Sequence, residues 1–196
     1  MTTSTLALLD QAELLQLGLN ASTAGDSASA IAYLKEAVSR GDASATAHYL
    51  LGAEYAQIKM YERAIGEMEA AIALDPNLSI ARLQLGMLWL GANNNERAAD
   101  VLRALGELGP ADPLRLFGAG LQHLISEQLA DALRCLTEGV ALNASNPALN
   151  GDMQSIMRHI ELVQAGGAQA AAAVAAPQDD DSQHVLLSAY TSGPRH

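Results

Sequence analysis

One residue spacing, 34 positions, recurs along most of the chain and constrains its fold more than any other feature. Three residue classes keep this step: glycines at Gly18, Gly52, Gly86 and Gly120, alanines at Ala30, Ala64, Ala98 and Ala132, and large apolar residues at Leu34, Met68, Leu102 and Leu136. Such a period is typical of helical hairpins that stack side by side, because one hairpin cannot bury its apolar face alone. The spacing predicts four units, at about residues 11–44, 45–78, 79–112 and 113–146.

Each unit has the pattern of two helices joined by a short turn. In the second unit, apolar residues at helical spacing predict helix A over 45–57 and helix B over 61–74, with Ile58-Lys59-Met60 as the turn. Pro76 closes the unit, because proline disfavours helix in the residue before it. The recurring Gly and Ala are expected where the two helices cross closely, since larger side chains there would push the axes apart.

The segment YLLGAEYAQIKMYERAIGEMEAAIALDPN, residues 49–77, resembles the tetratricopeptide repeat. The resemblance extends over about residues 11–146 and implies an all-α, right-handed solenoid of four such hairpins that binds other proteins. The chain departs from the family pattern in two ways. Asp42 and Ala144 stand where a closing proline would be, and Leu105 and Gly139 replace a small Ala.

The segments after the fourth unit differ in composition. Asn146-Pro147 is a helix start signal, and it predicts a capping helix over 147–164 that completes a domain of residues 1–164. Residues 165–183 are Ala/Gly-rich and then acidic, as in a linker. A flexible tail, 184–196, carries four apolar side chains, which are either a short docking motif or terminal sequence without a role: Val185, Leu186, Leu187 and Tyr190.

Charge and composition narrow the classes of partner. The formal net charge is -11, which argues against nucleic acid and anionic membranes, because both need clustered Lys and Arg. Neither a signal peptide nor a run of about 18 apolar residues is evident, so we expect a cytoplasmic protein without membrane insertion. The single cysteine, Cys135, falls in a helical pattern and is expected to pack as a small apolar residue.

Motifs that carry chemistry are not found. No two of the five histidines have a metal-ligand spacing with a Cys, Asp or Glu partner. Gly166-Gly167 precedes no lysine, and no serine lies in a strand-turn-helix elbow. We therefore expect no catalytic residue, no metal and no cofactor, and we interpret the chain as a non-enzyme.

Helix A of each unit carries a second apolar stripe beside its packing face, and the resemblance places this stripe in the concave groove. Its members are Leu15, Leu19, Tyr49, Ala53, Ile80, Leu83, Met87, Leu90, Leu114, Phe117, Leu121 and Leu124. Some family members bind peptide carboxylates there with Lys, Arg and Asn, whereas this stripe is apolar. The sequence therefore predicts a scaffold or adaptor for an apolar or amphipathic segment of another protein. The alternative is a stripe covered by the chain's own tail or by a second copy.

Overall fold

The computed structural model describes residues 6–166, and every regular element in that range is a helix. The helices are α1 (Gln11–Thr23), α2 (Ser27–Val38), α3 (Ala45–Gln57), α4 (Tyr61–Leu74), α5 (Ser79–Gly91), α6 (Asn95–Arg103), a 3-10 helix (Ala104–Glu107), α7 (Pro113–Ile125), α8 (Leu129–Leu142) and α9 (Pro147–Gly166). The tail motif and all but the first two residues of the predicted linker lie outside this range. The all-α prediction is confirmed.

The chain forms two compact units that divide inside α6, one up to Val101 and one from Leu102. In the first unit, α1 packs on α2, α2 on α3, α3 on α4 and α4 on α5. In the second unit, the 3-10 helix packs on α7, α7 on α8 and α8 on α9. Within each unit these sequence neighbours are therefore neighbours in space, as expected for stacked hairpins.

Four turns with one geometry join the hairpin helices. A residue with positive φ recurs every 34 residues, at Gly25, Lys59, Asn93 and Glu127. In the second hairpin, the Met60 N–H donates to the Tyr55 carbonyl at 2.8 Å, and the equivalent bond recurs in the other three. These bonds satisfy carbonyls that the end of a helix leaves free, so each first helix of a hairpin ends at the same place.

The small residues of the 34-residue series lie where the two helices of a hairpin touch. All four alanines of the series have no exposed surface. A Cβ built on Gly120 would lie 2.7 Å from Leu136 Cδ2, and one on Gly52 would lie 3.2 Å from the Ala64 carbonyl oxygen. Close packing therefore requires these glycines, and it offsets the cost of about 1 kcal/mol for glycine inside a helix.

In the second unit, each of the two residues that replace a small Ala is matched by an opposite change of size in the residue that it contacts. A Cβ on Gly118 would lie 2.9 Å from Leu105 Cδ1, so the larger Leu105 fills the space that Gly118 leaves. Gly139 does the opposite, because its missing side chain makes room for the Phe117 ring, whose Cε1 would be 2.6 Å from an added Cβ. Each change of volume is matched across the helix contact, as dense packing demands.

The N-terminal residues of the described range close the start of the first hairpin. The Arg40 guanidinium donates to the carbonyls of Leu9 and Leu6, the latter at 2.9 Å, and pairs with Glu36 at 3.3 Å. Leu6 is buried in a cluster with Leu14, Ala37 and Ala47. Residues 6–9 thus cover the apolar end of the α1–α2 hairpin.

Helix α9 follows the fourth hairpin and ends two residues beyond the predicted 164. Asn146 caps its start by accepting the Leu149 N–H at 3.0 Å. One line of apolar side chains, Leu149, Met153 and Ile160, is buried, while Gln154 and Leu162 are exposed. The helix therefore has one packed face and one solvent face, as a capping helix requires.

Candidate interaction surface

The predicted stripe on the first helices of the hairpins is in part interior. Five of its members are completely buried: Tyr49, Ala53, Leu83, Phe117 and Leu121. The sequence predicts that these five line a concave groove, and in the structure none of them has surface exposed to solvent. A helix that is apolar on two sides can pack on both sides, and these side chains pack between helices instead of facing a ligand.

Two contacts explain this burial. The Tyr49 hydroxyl accepts a hydrogen bond from Gln84 Nε2 at 3.2 Å, which ties α3 to α5 inside the first unit. In the second unit the Phe117 ring occupies the space over Gly139. In both cases a large side chain is covered by a residue that the sequence pattern did not connect with it.

The other seven members of the stripe are half-buried, which leaves part of each side chain open to solvent. Five belong to the first unit and two to the second: Leu15, Leu19, Ile80, Met87 and Leu90, and Leu114 and Leu124.

In the first unit, the stripe has small side chains on one helix and larger ones on two helices that this helix contacts. Helix α3 contacts α1, and its Tyr49 reaches Gln84 of α5, so α3 lies between those two helices. On α3 the stripe continues as the small residues Ala53, buried, and Ala56, half-buried. The flanking helices carry larger side chains. We call the surface formed by Leu15, Leu19, Ala56, Met87 and Leu90 the helix-A groove.

Titratable side chains of the described residues are spread out. His48 Nδ1 lies 2.7 Å from Glu67 Oε2, and His123 Nδ1 lies 2.6 Å from Gln128 Oε1, so each imidazole has one polar partner. Cys135 is buried, as predicted. Between residues 6 and 166, no three His, Cys, Asp or Glu side chains come together in a way that could hold a metal ion.

Two features were missed at the sequence level. Glu54 of α3 has no exposed surface, and neither carboxylate oxygen has a hydrogen-bond partner among the described residues. The turn of the second hairpin exposes three large apolar side chains, Ile58, Met60 and Tyr61. A comparison of the four turns would have shown the second feature, whereas Glu54 gives no signal in the sequence.

Comparisons with known proteins agree with this architecture. The sequence profile of the tetratricopeptide repeat matches residues 45–78. The cell division cycle protein 27 homolog of Caenorhabditis elegans is 33% identical over 91 residues, which are 46% of this chain and 12% of that protein. The chain thus spans only a small part of this relative.

Solved structures share the fold at low sequence identity. MamA of Desulfovibrio magneticus RS-1, from residue 41 of that protein to its end, has a TM-score of 0.59 and 22% identity, over 84% of this chain and 92% of that one. A thermophilic tetratricopeptide-repeat protein of Thermus thermophilus has a TM-score of 0.63 and 18% identity, over 93% of this chain and 100% of that one.

The fold and the comparisons together define a class, the helical-hairpin repeat proteins. Within this class the resemblance to the tetratricopeptide-repeat family is confirmed, and it is carried by the match over residues 45–78. Of the helices between residues 6 and 166, none combines the length and the apolar character needed to cross a membrane.

Proposed function

We propose that this protein is a protein–protein interaction scaffold, and that the helix-A groove of its first unit binds an apolar or amphipathic segment of another protein. The observation that carries the proposal is the change of side-chain size across three helices. Ala56 is on α3, which contacts the α1 helix of Leu19 and reaches the α5 helix of Met87 and Leu90, and all four side chains are half-buried. Small side chains on α3 beside larger ones on α1 and α5 would leave a shallow apolar depression along α3. A segment with a row of apolar side chains would fit such a depression.

The chemistry of the groove supports this class of ligand. Its side chains are aliphatic or thioether, so recognition would rest on apolar burial, and the flexible Met87 would allow the surface to adapt to different side chains. The large aromatic side chain of the stripe in this unit, Tyr49, is buried and would support the surface instead of contacting the ligand directly. Binding energy is then expected from Leu19, Met87 and Leu90.

The test uses an uncharged probe, because the acidic chain would attract basic peptides without specificity. A 16-residue amphipathic peptide of Leu and Gln is titrated into the full isotope-labelled chain, and amide shifts are followed by NMR. We expect perturbations around Leu19, Ala56 and Met87. Met87→Glu should weaken binding at least tenfold with an unchanged thermal midpoint, because burying a charge against the ligand is costly.

Leu8→Glu is the matched control, since Leu8 is 84% exposed and lies outside the groove. Perturbations elsewhere, or equal effects of both substitutions, would contradict the proposal. Two other occupants have distinct signatures. Shifts at the groove that grow with chain concentration alone indicate a second copy. Shifts that appear when Leu186 and Leu187 are both replaced by Glu indicate the chain's own tail.

A further inference from the structure

The turn of the second hairpin has the same backbone as the other three turns but a different surface. Ile58, Met60 and Tyr61 are 41%, 37% and 52% exposed. The residues equivalent to 58–60 are small or polar in the other turns: Ala24-Gly25-Asp26, Ala92-Asn93-Asn94 and Ser126-Glu127-Gln128. Tyr61 is replaced there by Ser27, Asn95 and the half-buried Leu129. Three large apolar side chains within four residues are therefore a property of this turn alone among the four. We call residues 58–63 the hairpin-2 tip.

The fold gives no reason for Met60 in this position. Asp26 in the first hairpin accepts the Ser29 N–H at 3.0 Å, and Asn94 in the third accepts the Arg97 N–H at 3.2 Å, so both cap the following helix. Hydrogen bonds from Ser29 also lower the pKa of Asp26. Met60 makes no side-chain cap, so the start of α4 lacks the stabilisation that Asp26 and Asn94 give to the helices that follow them.

Lys59 has the left-handed conformation, with φ of 60°, at the position that holds Gly25 in the first hairpin. A residue with a Cβ is disfavoured there, because its Cβ comes too close to the following carbonyl oxygen. Glu127 of the fourth hairpin has the same conformation, so the conformation alone does not distinguish the second turn. Its distinction lies in the combination of an uncapped helix start with exposed apolar side chains.

Two cations frame the apolar side chains. Lys59 and Arg63 are exposed, and the Arg63 guanidinium lies 5.6 Å from the centre of the Tyr55 ring, a cation–π contact that orients it. Glu62 between them leaves the tip with one net positive charge. The whole chain carries a net charge of -11, so an acidic ligand is repelled by most of the molecule and attracted here.

The size of the tip limits its partner. Three side chains with these exposures offer roughly 300 Å² of apolar surface, well below the about 800 Å² that each partner contributes to a standard interface. Two tips facing each other would also bring their cations together, and these like charges would repel each other. A second copy of the chain is therefore a poor occupant, whereas a short segment that covers the apolar side chains and carries carboxylates is a good one.

We propose that the hairpin-2 tip is a second docking site, which binds an acidic amphipathic helix of a partner protein. The apolar face of that helix covers Ile58, Met60 and Tyr61, and its carboxylates pair with Lys59 and Arg63. The contact is small, so it is weak and exchanges rapidly. This site is independent of the helix-A groove, and the proposal stands or falls without it.

The experiment titrates the full isotope-labelled chain with a 16-residue helical peptide that has Leu on one face and Glu on the other. We expect amide shift changes at residues 58–63 and a dissociation constant that rises with salt. The double substitution Lys59→Gly with Met60→Asp gives this turn the Gly-Asp pair of the first hairpin. It should weaken binding at least fivefold, while the thermal midpoint stays at or above that of the natural chain.

The third hairpin supplies the matched control. Asn93→Gly with Asn94→Asp places the same Gly-Asp pair at equivalent positions and should leave binding unchanged. Lys59→Glu is a second test variant, because its fold is secure: the same conformation already holds Glu127 in the fourth hairpin. It should weaken binding at least threefold through charge alone.

Several results would overturn the proposal. One is an equal loss of binding in the control variant or in Met87→Glu of the helix-A groove. Another is a peptide of Leu and Lys that perturbs residues 58–63 as strongly as the Leu and Glu peptide. Shifts at these residues that follow chain concentration without peptide would assign the tip to self-association. A thermal midpoint lowered by the Gly-Asp pair would assign the apolar turn to folding.

Discussion

Helices α3 and α9 differ sharply in how much of their surface is buried. In α3, Ala47 and all seven residues from Tyr49 to Tyr55 are buried. In α9, a longer helix, the buried residues form the single line Leu149, Met153 and Ile160. Helix α3 packs against α2 and α4 and reaches α5 through Tyr49, whereas α9 packs against α8. A helix that packs against several neighbours therefore buries more of its surface than one that packs against a single neighbour.

The residue at the position of the close helix crossing also differs between α3 and α9. Gly52 of α3 is buried against Ala64 and Met68 of its partner helix. Three repeat lengths further along, the equivalent residue of α9 is Gln154, which is exposed. A glycine is useful only where another helix comes close, and a polar side chain at that position suits a solvent face.

The largest effect is expected when one leucine in each helix is replaced by alanine. Leu50 of α3 has no exposed surface, while Leu162 of α9 is 62% exposed. We expect Leu50→Ala to lower the free energy of unfolding by about 2–5 kcal/mol, because it leaves a cavity among packed helices. Leu162→Ala should change it by less than about 0.5 kcal/mol. Urea denaturation followed by circular dichroism measures both.

Similar losses for the two substitutions would break the comparison, since they would mean that α9 is covered as fully as α3. A large loss for Leu162→Ala alone, suppressed at low chain concentration, would indicate that a second copy covers α9.

The sequence predicted the fold well, because the recurring residues that reveal the repeat are also the residues at which the helices make contact. The glycine and alanine series predicted where helices cross, and the bounds of α3 and α4 coincide with the predicted 45–57 and 61–74. This works because a helix contact depends on side-chain volume, which the sequence states directly.

The candidate site could be predicted only in part, because apolar periodicity reports burial without naming what covers a side chain. Phe117 is buried because Gly139, 22 residues later, leaves space for its ring. Tyr49 is buried beside Gln84, a polar residue that gave no sign of an interior position. Half-exposed Leu19 and Met87 follow the same pattern as these two, so the sequence could not separate core from surface.

A second test concerns the carboxyl group inside α3. Glu54 is completely buried, and its two carboxylate oxygens have no hydrogen-bond partner among the described residues. An unpaired buried carboxylate is costly, and replacing it with an apolar residue of similar size removes that cost. We expect Glu54→Leu to raise the free energy of unfolding by about 1–2 kcal/mol, measured by urea denaturation at pH 7.

The exposed Glu69 of α4 provides the control, and Glu69→Leu should be close to neutral. If Glu54→Leu instead destabilises the chain, ordered water hydrogen-bonds to the carboxylate in solution. Water would then reach the buried surroundings of Glu54.

The smallest effect is expected for the acid of α9. Burial raises the pKa of Asp152 from 3.8 to about 7. Below pH 4 the carboxyl is neutral in both the folded and unfolded chains, so it adds no penalty. As pH rises from 4 to 7, the unfolded chain ionises first and the folded chain loses stability, and above pH 7 the loss is complete.

Replacing Asp152 with Asn removes this penalty. The variant should therefore be more stable than the natural chain at pH 8, by an amount on the order of 1 kcal/mol, because the half-buried carboxyl keeps some contact with solvent. The difference should shrink as pH falls and be small at pH 5. Glu161→Gln, at an exposed position of the same helix, should give no such trend. A difference that stays constant between pH 5 and pH 8 would mean that the amide gains a new contact and that solvent reaches the Asp152 carboxyl freely. The half-buried flank of α9 would then be as open as its solvent face, and the contrast with α3 would be larger than its burial indicates.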